Sequence, residues 1–437
     1  MTPPHPLLEA WAWDAAADLL QPVRTGGTPQ ADPAGVSSAE ALSTASLLEE
    51  IEHCHRALED PVADAPACFE QLAALALELD LRAAADPAAR ELLRRAADRL
   101  RRSLVGDTVT YVVNRNLNFT NHCRQHCSFC AFRRDPGEEG AFWHDNVTLL
   151  ERAREARRAG ATELCLQGGL NPAARLEGSQ LAYAVRLLRD LHQAVPGIHL
   201  HAFSPEELLF LASQDGVPLE RVLEALQAAG LGSIPGTAAE VLSEPVRRIL
   251  CPEKLSAREW VAVILQVHRR GLASTSTLMA GHLETPADRI AHLLTLVALQ
   301  RHARQRGWAG LSEFVLLPFI GAAAPEPLRR RVGRDQPDLP AMLRLTALAR
   351  IVLGPWIPHH QPSWVKLTLA GAAEALDWGC DDLGGTLMEE HITTMAGARG
   401  GTSQTAADLQ AAAAQRGRPA RQRTTLYGSV PAPAACA

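Results

Sequence analysis

The chain lacks the features that would commit it to a membrane, to the cell exterior or to nucleic acid. No apolar run approaches the roughly 20 residues of a membrane-crossing helix. The opening MTPPHPLLEAWAWDAAADLL has no basic leader, and it places Glu9 and Asp14 where a signal peptide needs unbroken apolar residues. Positive charge is not in excess: 43 Lys and Arg stand against 49 Asp and Glu, both signs are spread along the chain, and a net charge of -6 leaves no basic footprint for a phosphate backbone. Cysteine is too thin for a disulfide framework, with nine in 437 residues, an odd number of which six are widely scattered. A reducing cytoplasm is the expected location, with neither nucleic acid nor membrane as a partner.

What is present is core-forming material: 47% hydrophobic residues in 437 suffice for one barrel-sized domain with an appendage, or for two to three smaller domains. Residues 1–37 are rich in Pro, Gly, Ala and Thr without sustained periodicity and read as a poorly ordered leader. Residues 38–106 turn helical, with Leu93, Ala97, Leu100 and Leu104 on one apolar stripe and arginines on a solvated face, so they read as a helical appendage. From 107 to 400 short strand-like runs alternate with helical stretches, the pattern of repeated βα units about a parallel sheet. The candidate strands are VTYVVNRNLNF, TELCLQG, IHLHAFS, GLGSI, ASTSTLM, EFVLLP, SWVKL and DDLGGT; helices include 145–159, 176–194, 217–229, 286–306 and 338–353. Eight strands predict an α/β fold with a (β/α)-barrel like a TIM barrel, in full or in an open six-stranded version, and chemistry at the carboxyl ends of the strands. Residues 401–437 read as a helix and tail, with residues 421–427 either free or folded over the site.

The chemistry concentrates in NFTNHCRQHCSFCAFRR, where Cys123, Cys127 and Cys130 stand in C-x-x-x-C-x-x-C spacing just after the first strand. Three thiolates on one tight loop can wrap three corners of a 4Fe-4S cluster. The fourth iron then stays open to the amino and carboxylate groups of S-adenosyl-L-methionine (SAM). A zinc site completed by His122 or His126 is the alternative, within a non-catalytic scaffold. Cys54, Cys68, Cys165, Cys251, Cys380 and Cys436 read as inert small hydrophobes.

Around this loop, Asn114, Asn116 and Asn118 share one strand face and need polar partners if they point inward. Gln167 ends a strand, and Gly168 and Gly169 after it permit close backbone approach by a ligand. Ser204 is an N-cap candidate with Pro205 and Glu207 in capping positions, which leaves His201 and Glu206 as contacts for ribose or substrate. His282 and Glu284 open a loop at a strand end and are candidates for polar work, as is Asp382.

The cysteine loop, with Phe129 just before its last ligand, resembles the signature of the radical SAM superfamily. Under that resemblance Phe129 lies beside the adenine, the Gly168-Gly169 turn and Ser204 serve SAM, and Met279 and Gly281 form the adenine-binding strand end. Longer segments, NRNLNFTNHCRQHCSFCAFRR, LCLQGGLNP, HAFSPEE, GLGSIPGTAAEVLSEPVRRILCPEK, HLET, QPSWVKL, DDLGGTLMEE and RQRTTLYG, resemble the tyrosine 4-hydroxybenzyl transferases of deazaflavin biosynthesis. That likeness implies that an adenosyl radical takes a hydrogen from the amine of L-tyrosine, and that the 4-hydroxybenzyl group released adds to 5-amino-6-(D-ribitylamino)uracil. It also implies an electron donor such as flavodoxin or ferredoxin. A single cysteine triplet implies one half of the pathway, with a second radical SAM enzyme closing the ring. The chain departs from the family where Gly321-Ala322-Ala323 replace polar residues after the L-P-F turn. Aminofutalosine synthase of menaquinone biosynthesis has a similar loop and barrel and is the alternative enzyme.

Overall fold

The computed structural model describes residues 5–24, 42–60 and 64–430. The strands are β1 (Val109–Val112), β2 (Asn114–Leu117), β3 (Glu163–Leu166), β4 (His199–Ala202), β5 (Leu231–Ile234), β6 (Ala273–Ala280), β7 (Leu311–Pro318), β8 (His360–Pro362), β9 (Asp382–Gly385) and β10 (Ala420–Gln422). Strands β2 to β8 form one parallel sheet in chain order, each pair joined by a helical crossover. The two-residue period of the strands sorts their side chains. Leu164, Leu166, Leu200, Phe314 and Leu316 are buried in the apolar core, whereas Asn114, Asn116, Glu163, Cys165, Thr275, Thr277 and Glu313 line the interior of the curl.

A second parallel sheet has the order β10, β1, β9. Its residues bridge the open seam of the first: Asp381 N donates to His360 O of β8 (3.1 Å), while Asn116 N of β2 donates to Leu387 O (2.9 Å) and Thr386 Oγ1 takes up Asn114 N (3.0 Å). The expected barrel-like α/β layout is therefore present, with seven strands in one sheet and residues 381–387 spanning its two edges.

Two expected strands come out differently. VTYVVNRNLNF divides at Val113 into β1 and β2, which pair in different sheets. SWVKL is not a strand: Pro362, which has no N–H to extend a ladder, ends β8, and Trp364–Ala375 turns helical with a break at Thr368 (φ 65°). A short apolar run reads equally as strand or buried helix, and the proline decides.

The expected appendage is three helices, Thr44–Glu59, Ala65–Ala85 and Pro87–Val105, packed on the outer helices Pro286–Arg306 and Leu339–Leu353. Asp80 anchors it, pairing with Arg344 and with Arg289 (3.1 Å). The segment expected as an unstructured leader contains helix Ala10–Arg24, because Leu8, Ala12, Trp13, Ala16 and Leu20 make an apolar stripe buried against Ala257–Arg269. The rest of that leader, residues 1–4 and 25–37, lies outside the described residues, as do residues 431–437 with Cys436. No described helix is long and apolar enough to cross a membrane.

Candidate active site

The cysteine loop leaves β2 and is sewn to the fold on three sides by its backbone. Cys123 N donates to Arg134 O (3.3 Å) on its own return, Arg124 N to Leu170 O (3.1 Å) beyond β3, and Ser128 N to Leu250 O (3.0 Å). Side chains repeat the pattern. Gln125 Nε2 donates to Glu206 Oε1 (2.7 Å) and Glu253 O (2.9 Å), and Ser128 Oγ to Leu250 O (2.8 Å). All three cysteines are free and half-buried. Burial pushes the thiols of Cys123 and Cys127 up, and the nearby Cys130 adds to the effect at each. Bound iron would reverse that penalty by holding the sulfurs as thiolates. Among the described residues no group of three or more His, Cys, Asp or Glu side chains gathers as a single ion would need. His126 instead faces Glu253 and Arg133. A cluster cube takes its three thiolates at three separate corners rather than around one ion.

The turn after β3 fits against this loop because it has no side chains. A Cβ on Gly169 would meet His122 O at 2.2 Å and Cys123 Cβ at 2.9 Å, and one on Gly168 would meet the Phe119 ring at 2.5 Å. The expectation of close approach is met by the chain itself: the glycines admit the cysteine loop. Gly168 N donates to Glu207 Oε1 (3.0 Å) and Gly169 N to Thr120 O (2.9 Å), which fixes the turn.

Below the turn, the curl of the sheet lines a cavity of about 200 Å³ that is open on one side. Asn116, Gln167, His201, Thr237, Glu163 and Glu313 all face it. At its closed end Asn114 Nδ2 donates to Glu163 Oε1 (2.8 Å), and Glu313 accepts from Gln361 Nε2 (3.0 Å), Arg423 Nη2 (3.1 Å) and the Tyr427 hydroxyl (2.5 Å). Burial raises Glu313 to about 7 despite Arg423, and lowers His201 to about 4, so His201 is neutral at physiological pH. Residues 421–427 thus reach the site from beneath it rather than as a cover: β10 pairs with β1, and Arg423 and Thr425 line the cavity.

The sequence matches the radical SAM superfamily over residues 117–296 and the CofH/MqnC C-terminal region over 315–436. It is 56% identical over 369 residues to the 5-amino-6-(D-ribitylamino)uracil–L-tyrosine 4-hydroxyphenyl transferase of Synechocystis sp., covering 82% of this chain and 94% of that one. The chain belongs to this transferase family. The Synechococcus elongatus enzyme of the same name is 59% identical over 348 residues, covering 79% of this chain and 90% of that one. Among solved structures, the FeFe-hydrogenase maturase HydG from Carboxydothermus hydrogenoformans shares the fold at a TM-score of 0.60 and 15% identity, covering 89% of this chain and 87% of that one. Methylornithine synthase does so at 0.60 and 15%, covering 86% and 98%. As a member of the radical SAM superfamily, the transferase family uses a 4Fe-4S cluster and SAM.

The family's expected site residues divide into two groups. Asn116, Gln167 and His201 face the cavity, with Gln167 Nε2 donating to Thr237 Oγ1 (2.8 Å) and His201 Nδ1 set 2.7 Å from Ser233 Oγ. Phe129 packs beside the cysteines under the Lys254 amine, 5.5 Å from its ring. The others hold the walls. Ser204 and Glu207 close a capping box, and Glu206 accepts from Gln125 and from Leu255 N (3.0 Å). Met279 is buried in β6; Gly281, at φ 91°, donates its N–H to Glu284 Oε1 (2.7 Å). His282 and Glu284 are almost wholly enclosed, 3.0 Å apart, with Glu284 also paired to Arg289 and held down to about 2, so their expected polar work is done on the loop itself. Asp382 lies under Arg423, outside the cavity lining. A Cβ on Gly321 would strike Arg334 O at 2.3 Å, so the chain's own packing calls for glycine there. Sequence reasoning did not single out Glu163, Glu313 and Arg423, which line the cavity, and it read Cys165, which also lines it, as an inert small hydrophobe.

Proposed function

We propose that this chain is the radical SAM enzyme that cleaves L-tyrosine and joins its 4-hydroxybenzyl group to 5-amino-6-(D-ribitylamino)uracil in deazaflavin cofactor biosynthesis. The observation that carries the reading is identity of 56 to 59% across most of the chain to transferases named for these two substrates. A cysteine loop packed on the turn that follows Gln167, a residue of the polar cavity's lining, supports it. Aminofutalosine synthesis and a zinc scaffold find no comparable support.

The cluster and SAM, when bound through Cys123, Cys127 and Cys130, supply hydrogen-abstracting radical chemistry. The chain does the rest. Gly168 and Gly169 set the loop against β3, Phe129 offers a flat apolar face beside the cysteines, and the curl of the sheet gives the two substrates a shared space. Neutral His201 and the amides of Asn116 and Gln167 bind polar groups without placing charge in the cavity. We place the enzyme in the cytoplasm, fed electrons by a flavodoxin or ferredoxin and followed by a second radical SAM enzyme that closes the deazaflavin ring.

The test is anaerobic incubation of reconstituted protein with SAM, reductant, tyrosine and the diaminouracil, read by mass spectrometry. A hydroxybenzyl adduct with 5'-deoxyadenosine is expected. Tyrosine left unconsumed would remove the reading.

A further inference from the structure

The closed end of the cavity has a chemical bias that the transferase reading does not by itself supply. Two strand-borne carboxylates, Glu163 and Glu313, face it together with His201 and Gln361. The one Lys or Arg among its described lining residues is Arg423, and that guanidinium is fully engaged. Its Nε and Nη2 reach the two oxygens of Asp382 (2.5 and 3.1 Å), Nη2 also reaches Glu313 Oε2 (3.1 Å), and Nη1 donates to Thr424 O (3.2 Å) and Thr425 O (3.3 Å). No cation is left over for an incoming anion. Each carboxylate can accept more hydrogen bonds than it receives from the chain, since an ionised carboxyl offers about four acceptor sites.

Such a floor offers no partner to the carboxylate of an amino acid, which would sit unpaired there. It suits a neutral ligand rich in hydroxyl donors. Position agrees with charge. Glu163 precedes Gln167 by four residues of extended chain, so it lies about 13 Å below Gln167, which leads into the glycine turn that touches Cys123. The substrate that loses a hydrogen must sit near the cysteine loop, and its partner can reach deeper.

Resting on the transferase reading, we infer that Glu163 and Glu313 form a polyol subsite at the closed end of the barrel, which takes the ribityl arm of the diaminouracil and leaves the upper cavity to tyrosine. Glu313, raised to about 7 by burial, can accept from or donate to a hydroxyl there at neutral pH.

Anaerobic calorimetric titration of the cluster-loaded protein with SAM present tests this apart from turnover. For Glu163→Gln and Glu313→Gln, the dissociation constant of 5-amino-6-(D-ribitylamino)uracil should rise at least tenfold, about the value of one charged hydrogen bond. Affinity for tyrosine should change less than about twofold, and iron content should stay at the wild-type level. On the ligand side, 5-amino-6-(methylamino)uracil, which lacks the arm, should bind wild type more weakly and ignore both substitutions, a comparison that stands even if one variant fails to fold. Unchanged affinity for the ribityl compound, or a loss that falls on tyrosine, overturns the subsite. Wild-type protein that binds both substrates in this pattern yet forms no adduct overturns the transferase reading instead.

Discussion

Replacing Gly169 with alanine asks how tightly the cluster loop is registered to the barrel. The added Cβ would lie 2.2 Å from His122 O, 2.7 Å from its carbonyl carbon and 2.9 Å from Cys123 Cβ, where ordinary contact begins at 3.4 Å. The atoms in the way are backbone, so no rotamer change relieves the clash, and the loop must move by about 1 Å. Two hydrogen bonds resist that movement, Gly169 N to Thr120 O (2.9 Å) and Arg124 N to Leu170 O (3.1 Å). Overpacking of this kind costs about 1–3 kcal/mol, and a misplacement of that size in a positioned site costs on the order of 100-fold in rate. The assay is SAM cleavage to 5'-deoxyadenosine by the anaerobically reconstituted variant, with iron per chain and the thermal midpoint measured alongside. We expect a retained fold, weakened SAM binding and a rate down by on the order of 100-fold. Gly168→Ala, whose nearest contacts are all in the Phe119 ring, should fall less because a ring edge can turn aside. Full iron content with wild-type cleavage in the Gly169 variant would refute the registration argument.

Cys127→Ala should abolish iron binding and 5'-deoxyadenosine formation while far-UV circular dichroism and the unfolding midpoint hold, because the loop caps the barrel and builds none of its strands; product at the wild-type rate would count against the ligand assignment. Glu206→Ala removes the acceptor shared by Gln125 and Leu255 N, worth about 1–3 kcal/mol of loop anchoring, so iron should be lost to a chelator at least several-fold faster than from wild type. The pH profile has a signed expectation. His201, His268 and His292 are buried and lowered to about 4, 3 and 3 from an unfolded value of 6.5. Their stabilising contribution is therefore present above pH 6.5 and lost as pH falls towards these values, by up to about 1.4 kcal/mol per pH unit for each. Glu313 works in the opposite sense, contributing below its unfolded 4.5 and losing that as pH rises through about 7. Denaturant unfolding of His268→Gln beside wild type at pH 7 and pH 5 isolates one histidine: the gap between the two curves should change by more than 1 kcal/mol, an order-of-magnitude expectation from the same linkage, and parallel curves would contradict the buried neutral state.

Much of the fold and the cluster loop was legible in the sequence because both are written locally. C-x-x-x-C-x-x-C is contained in eight residues, Ser204 and Glu207 lie three apart, and the alternation of strand and helix repeats along the chain. What escaped reading depends on distant pairs. Ser128 meets Leu250 across 122 positions, Gln125 meets Glu253 across 128, and Arg423 meets Glu313 across 110. No periodicity carries such information, so the tail that helps build the cavity floor looked like a tail. SWVKL failed for the opposite reason: its three apolar residues fit both periods, and only Pro362 separates them.

The candidate residues also show why residue type alone misleads at a strand end. His282, Glu284, Glu206 and Asp382 have the chemistry of acids and bases, yet each is bound by neighbours of its own chain: a backbone amide or carbonyl for the first three, Arg423 for the last. Polar groups enclosed in this way stabilise a loop, and moving them costs the bonds they already make. Glu163, Glu313, His201, Asn116 and Gln167 are enclosed by the same fold but open onto a space with room for a ligand. Only a group that keeps hydrogen-bonding capacity towards that space can favour one substrate over another. Counting each group's partners therefore separates the residues that support the barrel from those left to bind what enters it.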